Sequence, residues 1–117
     1  MTTPLVSVII ATYNRAHFLG QAILSVLDQT MQDSEIIVVD DGSTDASSQI
    51  LAQFGDRIQV VRQLNQGRSA ARNSGVRIAC ADIIAFLDSD DIWMPDKLAK
   101  QLSLFDAHPE VGLTHTF

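Results

Sequence analysis

Cysteine, tryptophan and basic residues are scarce in this sequence of 117 residues. A single cysteine excludes an internal disulfide framework and cannot alone form a structural zinc site. We expect Cys80 to be a small buried residue. Only eight basic residues stand against 14 acidic ones, and the net charge of −6 argues against nucleic-acid binding, which requires a basic surface. Any anionic ligand must therefore meet positive charge locally.

Long apolar runs are absent as well. No stretch approaches the ~20 apolar residues of a membrane span, and the N-terminus has no basic region of the kind that opens a secretory signal. We therefore expect no membrane span and a cytoplasmic location. The length corresponds to one domain, residues 1–117.

What is present is a regular alternation of strand and helix patterns. Apolar runs rich in β-branched residues recur at 5–11, 35–40, 58–62, 82–88 and 111–117. Helical spacing predicts four intervening helices. The first begins after an Asn14 N-cap, and the second spans 44–54 after a Ser43 N-cap. The third spans 67–79, and the fourth begins at Pro95. The alternation predicts an α/β fold with a mostly parallel sheet and helices on both faces.

The last predicted strand runs to Phe117 itself. A domain that ends on a strand without a closing helix is typical of a fragment, so we expect this chain to be the truncated first part of a longer protein. A bare, apolar edge at 111–117 would also permit pairing between two copies, and we expect a homodimer through it.

Polar loops follow four of the predicted strands, and in a parallel sheet such loops meet at one rim, where ligands bind. They read TYNR at 12–15, DDGSTD at 40–45, NQGRSAARN at 65–73 and DSDD at 88–91. Asp88 and Asp90 flank a short turn and can hold Mg²⁺ or Mn²⁺ together with ligand phosphates. Two like charges ~5 Å apart repel by roughly 3 kcal/mol at an effective dielectric constant of ~20, and a cation relieves that repulsion. The alternative is that these residues only form turns.

Other rim residues suit a nucleotide. Arg68 and Arg72, at i and i+4 on one helix, can clamp phosphates or belong to a solvated helix face. Tyr13 can stack on a planar base or be an ordinary surface tyrosine. Asp41 can accept a hydrogen bond from a base or ribose, or serve a turn and helix cap. Trp93, beside the acidic loop, either lines an acceptor groove or packs in the core.

Four motifs, VSVIIATYNR, IIVVDDGSTD, GRSAARNSG and IAFLDSDDIWMPDKL, together resemble the nucleotide-sugar-binding half of a family 2 glycosyltransferase with the GT-A fold. The resemblance covers nearly the whole chain. It implies that the backbone at Ala11 and Thr12, with Tyr13, packs around the base. It also implies that Asp41 reads the base edge and that Arg72 lies near the nucleotide.

The same resemblance makes DSD a DxD motif, with Asp88 on the ribose side and Asp90 and Asp91 toward the metal and diphosphate; which carboxylate ligates the ion stays open. It implies sugar transfer from a nucleotide diphosphate-sugar, most often UDP-linked, to a glycan, lipid-linked or protein acceptor, with Mn²⁺ or Mg²⁺ as Lewis acid. The general base of such enzymes usually follows the donor domain, so we expect it beyond Phe117. We expect the chain alone to bind nucleotide weakly and to turn over slowly or not at all.

Three other interpretations compete with this one. A hydride-transfer Rossmann domain needs a glycine-rich turn after its first strand, where this sequence has ATYNRA. A haloacid-dehalogenase-like phosphatase needs its DxD on the first strand, whereas here it follows the fourth. A non-catalytic nucleotide-binding module is the third, and a turnover assay on a longer protein separates it from an enzyme.

Overall fold

The computed structural model describes residues 3–107, with side chains up to residue 103. The strands are β1 (Val6–Thr12), β2 (Ser34–Asp40), β3 (Gln59–Arg62) and β4 (Ile83–Asp88). The helices are α1 (Ala16–Leu27), α2 (Ser47–Ala52), α3 (Arg68–Ile78) and α4 (Lys97–Ala107). No helix in this part of the chain combines the length and the hydropathy needed to cross a bilayer. The predicted strand 111–117 and its homodimer contact lie outside the described residues.

All strand pairs are parallel, and the strand order is β3-β2-β1-β4. The four predicted strands within the described residues are confirmed, with ends that agree to within one residue. Because β1 has a neighbour on each side and helices above and below, Val8, Ile9 and Ile10 have no exposed surface. The near-continuous apolar runs follow from this two-sided burial.

Each face of the sheet carries its own apolar cluster. On one face Val8 packs with residues of α1, α2 and α4, among them Leu19 and Leu98. On the other face Ile9 packs with Ala71 of α3. The predicted arrangement of helices on both faces of a parallel sheet is therefore confirmed.

Helix α3 approaches β1 closely because it carries a glycine at the contact. A Cβ built at Gly75 would lie 2.6 Å from Cγ2 of Ile9, well inside the ~3.5–4 Å of an ordinary carbon–carbon contact. The glycine thus sets the distance between helix and sheet. Because Arg68 and Arg72 lie on the same helix, Gly75 also affects how far these two residues lie from the sheet.

The predictions for Cys80 and for the second helix were wrong. Cys80 is exposed rather than buried, because it lies in the turn between α3 and β4, where its amide donates a hydrogen bond to the Glu35 carboxylate. The second helix is shorter than 44–54, since α2 covers Ser47–Ala52 and a 3-10 turn follows at Gly55–Arg57. The residues before α2 use their polar groups to bond the loop after β1 instead.

Candidate functional site

The carboxyl ends of three strands lie side by side. Thr12 pairs with Asp40 in the register of β1 and β2, and Ala11 pairs with Asp88 in the register of β1 and β4. The loops that follow these strands therefore leave the sheet at one rim, as expected for a parallel sheet. The loop after β3 joins them through contacts with the loop after β2.

Asn14 joins the first two rim loops. It adopts a left-handed conformation with φ of 51°, which asparagine tolerates. Its Oδ1 accepts a hydrogen bond from the amide of Thr44 (2.7 Å), and its own amide donates to Oγ of Ser43 (2.9 Å). Asp45 accepts from the amide of Ala16, the first residue of α1, at 3.1 Å. The predicted N-caps at Asn14 and Ser43 are wrong, because both side chains bond across the rim rather than to their own helices.

Asp41 fastens the loop after β3 to the loop after β2. Its nearly buried carboxylate accepts 2.9 Å hydrogen bonds from Gln63 Nε2 and from the amides of Gln66 and Gly67. A fourth bond of 3.3 Å comes from Asn65 Nδ2. Burial raises the pKa of Asp41, but the hydrogen bonds from Gln63, Gln66 and Gly67 outweigh it, and the pKa lies below its ordinary value. The carboxylate is therefore charged at neutral pH and holds this loop in place.

The rim loops border an open cleft of about 210 Å³. Residues predicted for the nucleotide site make up half of its lining: Ala11, Thr12, Tyr13, Asp41 and Arg68. The structure adds residues that the sequence patterns do not single out: Arg15, Asn65, Gly67, Ala71 and Ser89. All five belong to the four polar loops, so loop position is a better guide to this cleft than any single residue type.

Arg15 and Arg68 bring positive charge to the cleft. Neither guanidinium forms an ion pair with a described residue of the chain. Arg68 is also the first residue of α3, so the positive end of that helix dipole faces the same space. Tyr13 is 46% exposed and lines the same cleft. In a protein of net charge −6, the cleft is thus locally cationic and partly aromatic.

Arg72 and Asp88 lie beside the cleft rather than in its lining. Nη2 of Arg72 is 2.9 Å from Oδ1 of Asp88, and its guanidinium lies 5.3 Å from the centre of the Phe86 ring. The two charged side chains are 32% and 39% exposed, so water screens the pair in part. Ser89, the next residue after Asp88, does line the cleft. We predicted that Arg72 would lie near the nucleotide. In the structure it pairs with Asp88 beside the cleft.

Asp88, Asp90 and Asp91 form an acidic turn after β4. One carboxylate oxygen from each lies within 4.8 Å of the others. The amide of Asp91 donates to the carbonyl of Asp88 at 3.0 Å, which folds the turn back on itself. Carboxylate oxygens at this spacing are the hard ligands that Mg²⁺ and Mn²⁺ prefer. The residues present therefore fit the predicted divalent cation.

Trp93, close to the acidic turn in sequence, packs in the core. It is 6% exposed, whereas the Met94 side chain is largely exposed. The ammonium group of Lys97 lies 4.6 Å from the centre of the Trp93 ring. Burial lowers the pKa of Lys97, and attraction to Asp91 offsets part of that effect. Of the two interpretations of Trp93, core packing is the one that the structure supports.

Solved structures of GT-A type transferases share this parallel α/β fold. TarS 1–349 of S. aureus, solved in complex with UDP-GlcNAc, has a TM-score of 0.80 and 28% identity, covering 90% of this chain and 32% of that chain. The mannosyltransferase PcManGT of Pyrobaculum calidifontis, solved with GDP-Man and Mn²⁺, has a TM-score of 0.76 and 25% identity, covering 90% of this chain and 33% of that chain.

The chain belongs to glycosyl transferase family 2, whose sequence model matches residues 7–116. An uncharacterized glycosyltransferase of Nostoc sp. is 45% identical over 114 residues, which are 94% of this chain and 35% of that relative. The chain spans about a third to a half of the length of three curated relatives that it matches. The resemblance of the four motifs is confirmed, and the match does not support the phosphatase interpretation.

Proposed function

We propose that this chain forms the donor-binding part of a metal-dependent glycosyltransferase, which moves a sugar from a UDP-sugar to an acceptor hydroxyl. The observation that carries the proposal is the cleft beside the acidic turn. Its lining includes Tyr13 together with Arg15 and Arg68, whose guanidinium groups form no ion pair among the described residues. A nucleoside diphosphate calls for these features together: a stacking surface, positive charge and a cation site. UDP-GlcNAc in the TarS structure supports uracil as the base.

Asp41 reads the edge of the base in this proposal, with Tyr13 stacked beside it. The carboxylate already accepts four hydrogen bonds, as many as its two oxygens offer positions for. A base N–H replaces the longest of them, the 3.3 Å bond from Asn65 Nδ2. Asn65 Nδ2 also donates to the backbone carbonyl of Asp41 at 3.1 Å, so it keeps a partner when the base takes its place on the carboxylate. Donor binding then exchanges one internal hydrogen bond and leaves the loop closed.

The diphosphate lies toward Arg15 and Arg68, and the cation toward the acidic turn. We assign Asp90 and Asp91 as the metal ligands, because Asp88 is already paired with Arg72. A bound Mn²⁺ or Mg²⁺ supplies Lewis-acid stabilisation of the charge on the leaving diphosphate. Mn²⁺ accompanies GDP-Man in the PcManGT structure, which supports this class of cation.

The acceptor platform and the general base come from sequence beyond Phe117 in this proposal. Among the described residues that line the cleft, Asp41 is the sole carboxylate. Its lowered pKa and its hydrogen bonds make it a poor proton acceptor at neutral pH. This chain alone should therefore bind donor without efficient turnover. A glycosyl-transfer assay on a longer protein distinguishes an enzyme from a non-catalytic nucleotide-binding module.

The test is thermal unfolding of this chain with UDP, GDP and dTDP, each with and without Mn²⁺. A ligand at ~100 times its dissociation constant stabilises by about 2.7 kcal/mol, and each kcal/mol moves the midpoint by roughly 4–8 °C in a small domain. We expect the largest shift with UDP and Mn²⁺ together. Asp90→Ala should remove the metal-dependent part of that shift.

Asp82→Ala is the matched control, because Asp82 is an exposed aspartate that precedes β4 and therefore lies at the opposite end of the strand from the acidic turn. Its shifts should equal those of the wild type. A UDP shift that is the same with and without Mn²⁺, or unchanged in Asp90→Ala, would contradict the metal assignment. The absence of a shift with any nucleotide would contradict the donor site.

A further inference from the structure

We propose that Gln29 is a positioning residue for the acidic turn, an inference that rests on the proposed role of this turn in holding a divalent cation. Gln29 follows α1 and does not line the cleft. It acts on residues 94–98, which come after the acidic turn and lead into α4. Its effect on the carboxylates is therefore indirect.

The side-chain amide of Gln29 is 2% exposed and uses both of its polar atoms. Nε2 donates to the carbonyl of Met94 at 2.6 Å and to a carbonyl of its own helix at 3.0 Å. Oε1 accepts from the amide of Leu98 at 3.0 Å. The amide of the next residue, Thr30, donates to the carbonyl of Pro95 at 2.8 Å. Three hydrogen bonds thus tie the end of α1 to residues 94–98.

Gln29 also supplies a cap for α4. This helix begins at Lys97, two residues later than the predicted start at Pro95, so Leu98 provides one of its first amides. Such amides have no partner inside the helix. Here the partner comes from a distant part of the chain. Without the Gln29 amide, the buried N–H of Leu98 loses its partner, whereas the carbonyl of Met94 keeps the hydrogen bond from the amide of Lys97 at 3.1 Å.

The acidic turn is held at two points. On one side Asp88 ends β4 and pairs in the sheet with Ala11. On the other side Trp93 is buried and the hydrogen bonds of Gln29 fix the segment behind it. Ile92, between these points, is largely exposed, so its packing adds little. Gln29 therefore helps to set the direction in which the two later carboxylates of the turn leave the sheet.

Gln29→Met is the test variant, because methionine keeps the length of the side chain and removes the amide. Gln32→Met is the matched control: Nε2 of Gln32 donates to the carbonyls of Leu27 and Gln29 at the same helix end but forms no hydrogen bond with the described residues 94–98. Val26→Ala removes buried atoms of α1 and controls for a loss of stability without a change in the amide contacts.

Two measurements report separately on the segment and on the turn. Trp93 is the single tryptophan, so acrylamide quenching of its fluorescence follows residues 92–94 in the folded protein without any ligand. Titration with Mn²⁺ alone follows the acidic turn. We expect Gln29→Met to increase Trp93 quenching and to weaken Mn²⁺ binding about tenfold, the usual effect of losing an outer-shell support. Metal-free UDP affinity should stay unchanged, and both controls should behave like the wild type.

Unchanged Trp93 quenching in Gln29→Met would overturn the role of Gln29. So would increased quenching with unaltered Mn²⁺ affinity, because the segment would then be loosened without effect on the turn. An equal loss of affinity in Val26→Ala would mean general destabilisation and would also overturn it. If the wild type binds no Mn²⁺, the proposed metal site is wrong, and the positioning role of Gln29 is wrong with it. The quenching of Trp93 would still show whether Gln29 anchors residues 94–98.

Discussion

Replacing Gly75 with alanine tests how closely α3 must approach the sheet. The added Cβ would lie 2.6 Å from Cγ2 of Ile9 and 3.3 Å from its Cγ1 and Cδ1. Ile9 is fully buried between β2 and β4, so it has no free space to turn into. Overpacking of this kind costs about 1–3 kcal/mol. Alanine recovers up to about 1 kcal/mol of helix propensity over glycine. We expect a net loss of about 1–2 kcal/mol.

Thermal and urea unfolding measure this loss. At roughly 4–8 °C per kcal/mol, the midpoint of Gly75→Ala should fall by about 5–15 °C. Gly20→Ala is the matched control, because Gly20 also lies inside a helix but its Cβ would meet Ile50 at 3.7 Å, an ordinary contact. Gly20→Ala should therefore stabilise the protein by up to about 1 kcal/mol.

A Gly75→Ala protein as stable as the wild type would refute the packing argument. A second check uses Ile9→Ala, which removes the atoms that clash. In that background Gly75→Ala should cost less than it does in the wild type, and the difference is the coupling energy of the pair. Equal costs in both backgrounds would show that the contact with Ile9 is not the cause.

Three further substitutions test the rim. Gly42→Ala places a side chain at φ of +88° with its Cβ 2.9 Å from the amide nitrogen of Asn65. We expect a loss of about 1–3 kcal/mol in the free energy of urea unfolding, together with weaker UDP binding. Unaltered UDP binding would mean that the cleft tolerates a shift of the Asn65 backbone. Asp41→Asn removes a carboxylate whose pKa is lower in the folded protein than its ordinary value of 3.8. The ionised carboxylate therefore stabilises the fold above pH 3.8, and this stabilisation is lost as the pH falls through the folded-state pKa. Urea unfolding should show the wild type losing stability relative to Asp41→Asn below about pH 4, and a constant difference at all pH values would contradict this. Arg72→Met breaks a half-exposed ion pair with Asp88, so its stability loss should stay below about 1 kcal/mol; a loss above about 3 kcal/mol would indicate a buried pair.

The sheet could be predicted because its signal is local and strong. The strands β1, β2 and β4 are apolar at most of their positions, and each of the four runs ends where a polar loop begins. The parallel rule then brings these loops to one rim without any knowledge of individual contacts. This is why Tyr13, Asp41 and Arg68 were placed together from the sequence, and why their loops border one cleft in the structure.

The contacts inside the rim could not be predicted, because they depend on residues far apart in the chain. The oxygen of Asn14 can cap a helix or bond a neighbouring loop, and only the folded sheet brings Thr44 within 2.7 Å. The same holds for Asp41, whose hydrogen-bond donors lie on the other side of β3. Arg15 carries no local signal that separates it from any surface arginine. Cys80 is exposed because of its place in a turn, which the average burial of cysteine does not reveal.

The position of β1 has a consequence for how the chain folds during synthesis. Among the described elements β1 is synthesised first, whereas one of its two neighbours, β4, is synthesised almost last. At 5–20 residues per second, roughly 2–10 s separate the completion of β2 from that of β4 on the ribosome. Throughout that interval one apolar edge of β1 has no partner and can pair with other nascent chains. Substitutions that delay the formation of α3 or β4 should therefore lower the yield of folded protein in cells, even where they leave the stability of the folded protein unchanged.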